Sequence, residues 1–285
     1  MGKLGRDRIL TLQGDLKEDG IQVSLRKLCR VLGNNRSQIY YKTTIRKKRR
    51  TEKWLEEAIR RVIEQYPEYG KRRITVLIRR EYGEINHKRI HRIIKLQGWQ
   101  RWKRSYGKRP RVQGMKSVAP QVNSRWAIDM THIHVREAGW CHLVGVIDCC
   151  DRYLVGWRFS QSGKAGICAG ALEDALIREK LFPGKQGLVI RSDNGLVFSS
   201  KRFHETISKN KLYQEYITPY TPEQNGMIER FFRSFKEECA WQQEFKTFDE
   251  AYDKIADWID YYNQQRPHSA LGYIAPADLR KKLVA

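Results

Sequence analysis

Residues 126–159 read WAIDMTHIHVREAGWCHLVGVIDCCDRYLVGWRF, and this stretch decides the fold. It holds three strand-like runs, 126–135, 141–149 and 153–159, separated by short links. Runs of this length joined this closely predict a meander, with Asp151-Arg152 as a tight hairpin. Downstream the pattern alternates. Residues 165–180 read as a helix and 188–192 as a short buried-type strand ending at Asp193-Asn194-Gly195. A helix over 200–210, a strand over 213–217 and helices over 222–241 and 248–265 follow. Three meandering strands and then α-β-α-β-α predict an α/β fold, a mixed five-stranded sheet with flanking helices on both faces.

That order is the one expected of a ribonuclease-H-like fold. Upstream the chain is different in kind. Of the net charge of +23, residues 1–120 carry +22 (33 Lys+Arg, 11 Asp+Glu) and residues 121–285 carry +1 (22 and 21). A basic arm beside a neutral body points to a polyanion, nucleic acid before an anionic membrane surface, since no amphipathic helix has the aromatic-rich face that would favour lipid. The 40% hydrophobic content is enough to bury a core and excludes a disordered basic tail. No apolar run approaches the roughly 20 residues of a spanning helix. Six scattered cysteines with no Cys-x-x-Cys read as small buried hydrophobes in a reducing compartment. With no apolar leader after Met1, the expected location is the cytoplasm.

Five segments are expected: a first helix-turn-helix-like unit (1–45), a second helical DNA-binding unit (46–100), a basic linker (101–121), the catalytic core (122–241) and a C-terminal helical extension (242–285). In the first, Leu25, Leu28, Val31 and Leu32 recur at helical spacing, Gly33 breaks the pattern and Ile39 resumes it. Arg36 and Gln38 of its second helix are placed to meet DNA, although a plain helical hairpin has the same pattern. In the second, Trp54, Leu55, Ala58, Ile59, Val62 and Ile63 form one apolar stripe, and a two-helix unit follows with Gly83 in the turn and Asn86 as N-cap. Lys88, Arg92 and Lys95 share one face with no acid between His87 and Gly98, which favours phosphate contact over a merely solvated face. Arg72, Arg73 and Arg89 join them as candidates, as do Arg104, Lys108 and Arg109 in the linker. His87 and His91 lack the cysteines of a zinc site and read as helix-surface residues.

Three carboxylates stand out in the core. Asp129 lies mid-way along the first strand, Asp193 at the end of the fourth, and Glu229 on the helix after the fifth, beside an apolar stripe of Ile228, Phe231, Phe232, Phe235 and Cys239. Strand ends are where α/β sheets place sites, although one acid at such an end is commonly a solvated turn residue. Converging carboxylates need cations to stay ionised, and hard oxygen donors suit Mg²⁺, with Mn²⁺ able to substitute. Two such ions about 3.5–4 Å apart suit phosphodiester chemistry. Arg233 and Lys236 continue along the face of Glu229, and Arg230 lies next to it. His132 and His134 share the opposite strand face from Asp129, and Asp148 is read as structural.

The runs NSRWAIDMTHI (123–133), RSDNGLVFSSKRF (191–203) and ITPYTPEQNGMIERFFRSFKEEC (217–239) resemble the catalytic core of retroviral-integrase-like transposases, and 35 residues separate Asp193 from Glu229, the spacing of the DDE group. The runs YGKRRITVLIRREYG, INHKRIHRIIKLQGW and YYNQQRPHSALGYIAPADL are similar to the second-frame product of the bacterial insertion-sequence-three family. The resemblance implies a DNA transposase in the nucleoid-associated cytoplasm. Asp129, Asp193 and Glu229 would bind two Mg²⁺ ions, cut donor DNA at the terminal inverted repeats, and join the 3′-hydroxyl to target DNA. It also implies that Lys236 contacts the transposon end, that Asn194 and Gly195 shape the site, and that residues 219–226 form a loop beside it. A homo-oligomer on DNA and the first-frame protein are the implied partners. Two rivals stay open: a nuclease of the same fold that cuts without joining, and a regulator that binds DNA ends without catalysis.

Overall fold

The computed structural model describes residues 6–40, 52–101, 119–184, 187–218 and 222–284. It divides into two compact units, Met1–Thr51 and Glu52–Ala285. Residues 52–101 fall in the same compact unit as the sheet.

The first unit has α1 (Arg6–Glu18), α2 (Leu25–Val31) and α3 (Arg36–Tyr40) around Ile9, Leu28, Cys29 and Ile39. Ser24 caps α2 by accepting from Lys27 N, and Asn35 Oδ1 accepts from Ser37 N at 3.2 Å to start α3. Gly33 has φ +65°, the left-handed conformation that lets the chain turn between them. Val31, expected on the apolar face, is 78% exposed, while Leu28 and Cys29 of α2 are buried in the small core and Leu25 packs against it. Helix α1 was not foreseen: its sequence has little apolar periodicity, and Ile9 is the residue it buries fully.

The second unit opens with α4 (Lys53–Gln65), α5 (Lys71–Tyr82) and α6 (His87–Leu96). Leu55, Ile59, Ile74, Ile78, Ile90 and Ile94 meet at their centre. Asn86 caps α6 by accepting from Lys88 N at 2.9 Å, and Gly83 and Gly98 take the positive φ values at the turns. Trp54 departs from the expected stripe: it is half-exposed, donates Nε1–H to Glu52 and lies against Tyr82.

The sheet has strands β1 (Arg125–Val135), β2 (Gly139–Asp148), β3 (Leu154–Ser160), β4 (Val189–Ser192) and β5 (Tyr213–Tyr216) in the order β3-β2-β1-β4-β5. The first three are antiparallel, and β4 and β5 run parallel to β1. Helices α7 (Ala165–Arg178) and α8 (Lys201–Lys209) cover one face over Trp126, Ile128 and Val144. Helices α9 (Gly226–Phe235) and α10 (Phe248–Gln264) cover the other over Ala127, Ile133, Val135 and Leu143. This is the predicted mixed sheet. The helix expected over 222–241 is instead a 3₁₀ turn (Pro222–Asn225), then α9, then a π-helical turn (Lys236–Ala240).

Asp148 lies away from the carboxylate trio and serves the fold. It is fully buried, accepts from Asn123 N (2.7 Å) and Cys150 N (2.8 Å), and receives Arg280 Nη2 at 3.4 Å. Arg280, on α11 (Pro276–Val284), also reaches buried Asp151 (3.5 Å) and Glu179 (2.9 Å). One guanidinium thus fastens the last helix to the sheet end. Burial, with the charge of Asp148 beside it, pushes the Asp151 carboxyl up to about 7 against the pull of Arg280. The folded chain holds a proton there that the unfolded chain releases above its ordinary value of 3.8, so this group's contribution to stability declines as pH rises from about 4 to about 7. Arg280→Gln, measured by denaturant unfolding, is expected to cost about 3 kcal/mol at pH 8 and distinctly less at pH 5, because two buried carboxylates lose their cation.

Candidate active site

Strand β1 pairs with β4 only from Arg125↔Val189 to Ala127↔Arg191. Carried two residues further, that register sets Asp129, mid-way along β1, level with Asp193, just past the carboxyl end of β4, and on the same face. There β4 ends and the chain turns: Asp193 Oδ1 accepts from Gly195 N at 2.9 Å. A Cβ on Gly195 would sit 2.9 Å from that same oxygen, so a side chain there would push the carboxylate aside. Asn194 donates Nδ2–H to Ile217 O (3.1 Å) and ties the turn to the end of β5.

Helix α9 brings Glu229 over the same face. Ile228, Phe231, Phe232 and Phe235 bury its inner side, and Glu229 is exposed in its first turn. Two interactions set where α9 begins. Buried Arg191 holds Glu215 through two bonds of 3.0 Å and donates Nη1–H to Gln224 O at 2.8 Å. The Gln224 side chain in turn accepts from Thr218 N at 2.8 Å and closes the two ends of the connection from β5. Residues 219–221 between them lie outside the described residues. Sequence reasoning missed Arg191 as a site residue; a charge inside a short apolar strand was the available signal.

The carboxylates feel one another. Asp129 is pushed up to about 7 by burial foremost and by the charges of Asp193 and Glu229, while the Met130 N–H (2.7 Å) and Lys236 oppose the rise. Cys168, on α7 beneath, is raised to about 12 by burial and by the same two aspartates. Three hard oxygen donors, one of them pushed up by burial foremost, have the chemistry that a divalent cation satisfies. Among the described residues, no three His, Cys, Asp or Glu side chains are close enough together to hold a metal ion as the chain stands.

The expected DNA contacts are placed unevenly. Lys88, Arg92 and Lys95 are exposed on α6 and Arg72 on α5, whereas Arg89 pairs with Glu52. Arg73, expected at the DNA surface, turns inward to Glu238 at 3.0 Å. Arg230 is exposed, Arg233 bonds Glu237 at 3.0 Å, and Lys236 is half-buried near Asp129. Arg36 is exposed in the first unit; the Gln38 side chain, Arg104, Lys108 and Arg109 lie outside the described residues. His132 and His134 pair edge-on with His142 and Trp140 on the strand face opposite Asp129.

A mixed five-stranded sheet of order β3-β2-β1-β4-β5 with helices on both faces is the fold of the integrase-core class. The integrase core domain model matches residues 119–222, a second model of the same description matches 210–276, and an HTH-like domain model matches 49–107. The transposase for insertion sequence element IS904 of Lactococcus lactis is 30% identical over 248 residues, spanning 80% of this chain and 93% of that one. An uncharacterized 39.2 kDa protein of insertion element IS476 from Xanthomonas euvesicatoria is 32% identical over 210 residues, and transposase InsF of IS3A from Escherichia coli is 28% identical over 164. The matches span 73% and 57% of this chain, and only 59% and 56% of those two proteins. The chain belongs to the family of insertion-element transposases with an integrase core.

Opposite Asp129 on β2 stands Gly145, where a Cβ would lie 3.4 Å from Phe232 Cζ and from Leu154 Cδ1 and 3.6 Å from Phe231 Cε1. The missing side chain lets α9 lie close enough to present Glu229. Gly145→Val is expected to cost about 1–3 kcal/mol in denaturant unfolding through overpacking. Gly166→Ala on α7, with open space around it, is expected to be neutral or to stabilise by up to about 1 kcal/mol.

Proposed function

We propose that this chain is a divalent-metal-dependent DNA strand transferase that cuts DNA at the ends of its own element and joins the freed 3′-hydroxyl to a target phosphodiester. The observation that supports the reading is the register that sets Asp129 level with Asp193 on the sheet face covered by α9, the helix that bears Glu229. Asp129, Asp193 and Glu229 would hold Mg²⁺, which supplies Lewis-acid polarisation of the phosphate and of the attacking oxygen. The rest falls to the chain itself. Arg191 and Gln224 hold the helix start that presents Glu229. The Asp193–Gly195 turn keeps that carboxylate aimed off the strand end. Lys236 places a cation beside Asp129, where an approaching phosphate would meet it. In the joining step the 3′-oxygen forms the new bond to phosphorus as the target strand's own 3′-oxygen leaves. The exposed cations of α6 and α5 would track the DNA backbone.

Asp129→Asn, Asp193→Asn and Glu229→Gln are each expected to abolish cutting and joining while DNA binding survives; metal-dependent joining retained in any of the three sinks the assignment. A precleaved 3′-hydroxyl end that the wild type never joins, with cutting intact, would favour a nuclease instead. Mg²⁺ or Mn²⁺ is expected to raise the melting temperature of the wild-type chain and not that of Asp129→Asn. Reversing the charges of Lys88, Arg92 and Lys95 is expected to weaken DNA binding many-fold and to flatten the log–log salt dependence by about 0.9 for each phosphate no longer neutralised. An unchanged slope would remove α6 from the interface.

A further inference from the structure

Helices α4–α6 meet the body of the second unit at a side-chain cluster that the proposed chemistry leaves unused. Glu238, in the π-helical turn after α9, is only 9% exposed, and its carboxylate is held from two sides. Arg266, 1% exposed, grips it twice, from Nε to Oε2 at 2.7 Å and from Nη2 to Oε1 at 2.6 Å. Arg73 of α5 donates Nη1–H to Oε1 at 3.0 Å. The two guanidiniums lie over the rings of Tyr262 and Tyr69, and the Tyr69 hydroxyl bonds that of Tyr261 at 2.6 Å. Three segments far apart in sequence thus share one carboxylate.

That carboxylate sits two residues from Lys236, in the same turn. The turn is π-helical because Trp241 N–H donates back to Lys236 O at 2.9 Å, five residues away. Such turns are rare and poorly favoured on their own, so the surroundings must hold this one. The clamp on Glu238 holds its inner side. Arg101, which follows α6, lies 3.8 Å from Glu237 on the same turn and also pairs with Glu68. No break in helical backbone separates Glu229 from Ala240, so whatever fixes the π turn also fixes the rod that carries Glu229 and Lys236.

We propose that Glu238 is a positioning residue: clamped between Arg73 and Arg266, it holds the π turn that aims Lys236 at the carboxylate site, so that the seating of α4–α6 sets the pose of the catalytic helix. Arg73 is then a strut between the HTH-like segment and the site, and its charge is neutralised inside the protein. The inference rests on the strand-transfer reading above, but the coupling also has a readout that needs no catalysis.

Glu238→Gln leaves a buried guanidinium without its anion and puts the fold itself at risk. The decisive variant is Arg73→Gln in the full chain, which keeps the Arg266–Glu238 pair. Amide hydrogen exchange over 236–241 is expected to quicken by about tenfold while β1 is unchanged. Single-turnover joining of a precleaved end at saturating DNA is expected to slow by about tenfold with the Kd for DNA held within about twofold, and Arg73→Lys to restore most of the rate. Unchanged exchange over 236–241 overturns the proposal. So does a weakened Kd with an unchanged saturating rate, which would make Arg73 a phosphate contact. If the wild type joins no DNA with any divalent ion, the strand-transfer reading fails on its own, and the exchange measurement alone decides the clamp.

Discussion

The parallel pairing of β1 with β4 stops at Ala127 and Arg191, and the site follows from where it stops. Strand β1 continues because β2 pairs with it as far as Val135↔Gly139, while β4 leaves the sheet after Ser192. The chain must turn there, and a short acid that caps its own turn is favoured at such a point. Asp193 meets that demand and in doing so comes level with Asp129. Glu229 arrives by a different route, on a helix whose inner face of Ile228, Phe231, Phe232 and Phe235 leaves it one way to lie on the sheet. Backbone pairing, turn chemistry and apolar packing each deliver one carboxylate. Electrostatics alone would keep the three apart, since Asp129 is raised by its two neighbours.

The sheet was legible because its runs are continuous and apolar where both faces are covered, as in β2 from Leu143 to Ile147. The helices of the second unit were legible through their apolar period, down to the cap at Asn86 and the turn at Gly83. The backbone positions of the three acids were legible, Asp129 mid-way along β1, Asp193 just past β4 and Glu229 on α9. What escaped depends on partners remote in sequence. A π turn and an α turn differ in which carbonyl accepts, and Lys236–Ala240 has no apolar period to distinguish them. Arg73 and Lys88 look alike in a basic stretch, yet one has Glu238 waiting 165 residues away and the other faces outward. Arg191 was hidden for the same reason, with Glu215 and the Gln224 carbonyl as its partners. Trp54 and Val31 fell outside their cores because each core is small and closed by fewer side chains than the stripes offered.

The two cationic residue types divide the labour. The buried or half-buried fasteners Arg191, Arg266 and Arg280 are arginines that meet carboxylates or carbonyls through several donors at once, a match for a planar fork and not for an ammonium, while Arg73 adds a single bond to Glu238. The exposed face of α6 carries Lys88 and Lys95 around Arg92. These internal pairs leave the net charge of +23 intact, since each fastener is matched by an acid already counted against it.

The bond between Asp148 and Arg280 spans 132 residues of chain. During synthesis, Asp148 at the end of β2 and Asp151 in the turn after it emerge long before the guanidinium that faces them. Until α11 has been made, the end of the sheet carries carboxylates that cannot be both dry and ionised. The nascent sheet must keep that end wet or protonated, and a polypeptide released before residue 280 would keep it so. The end of the sheet gains its guanidinium only once the segment that bears Arg280 has been made.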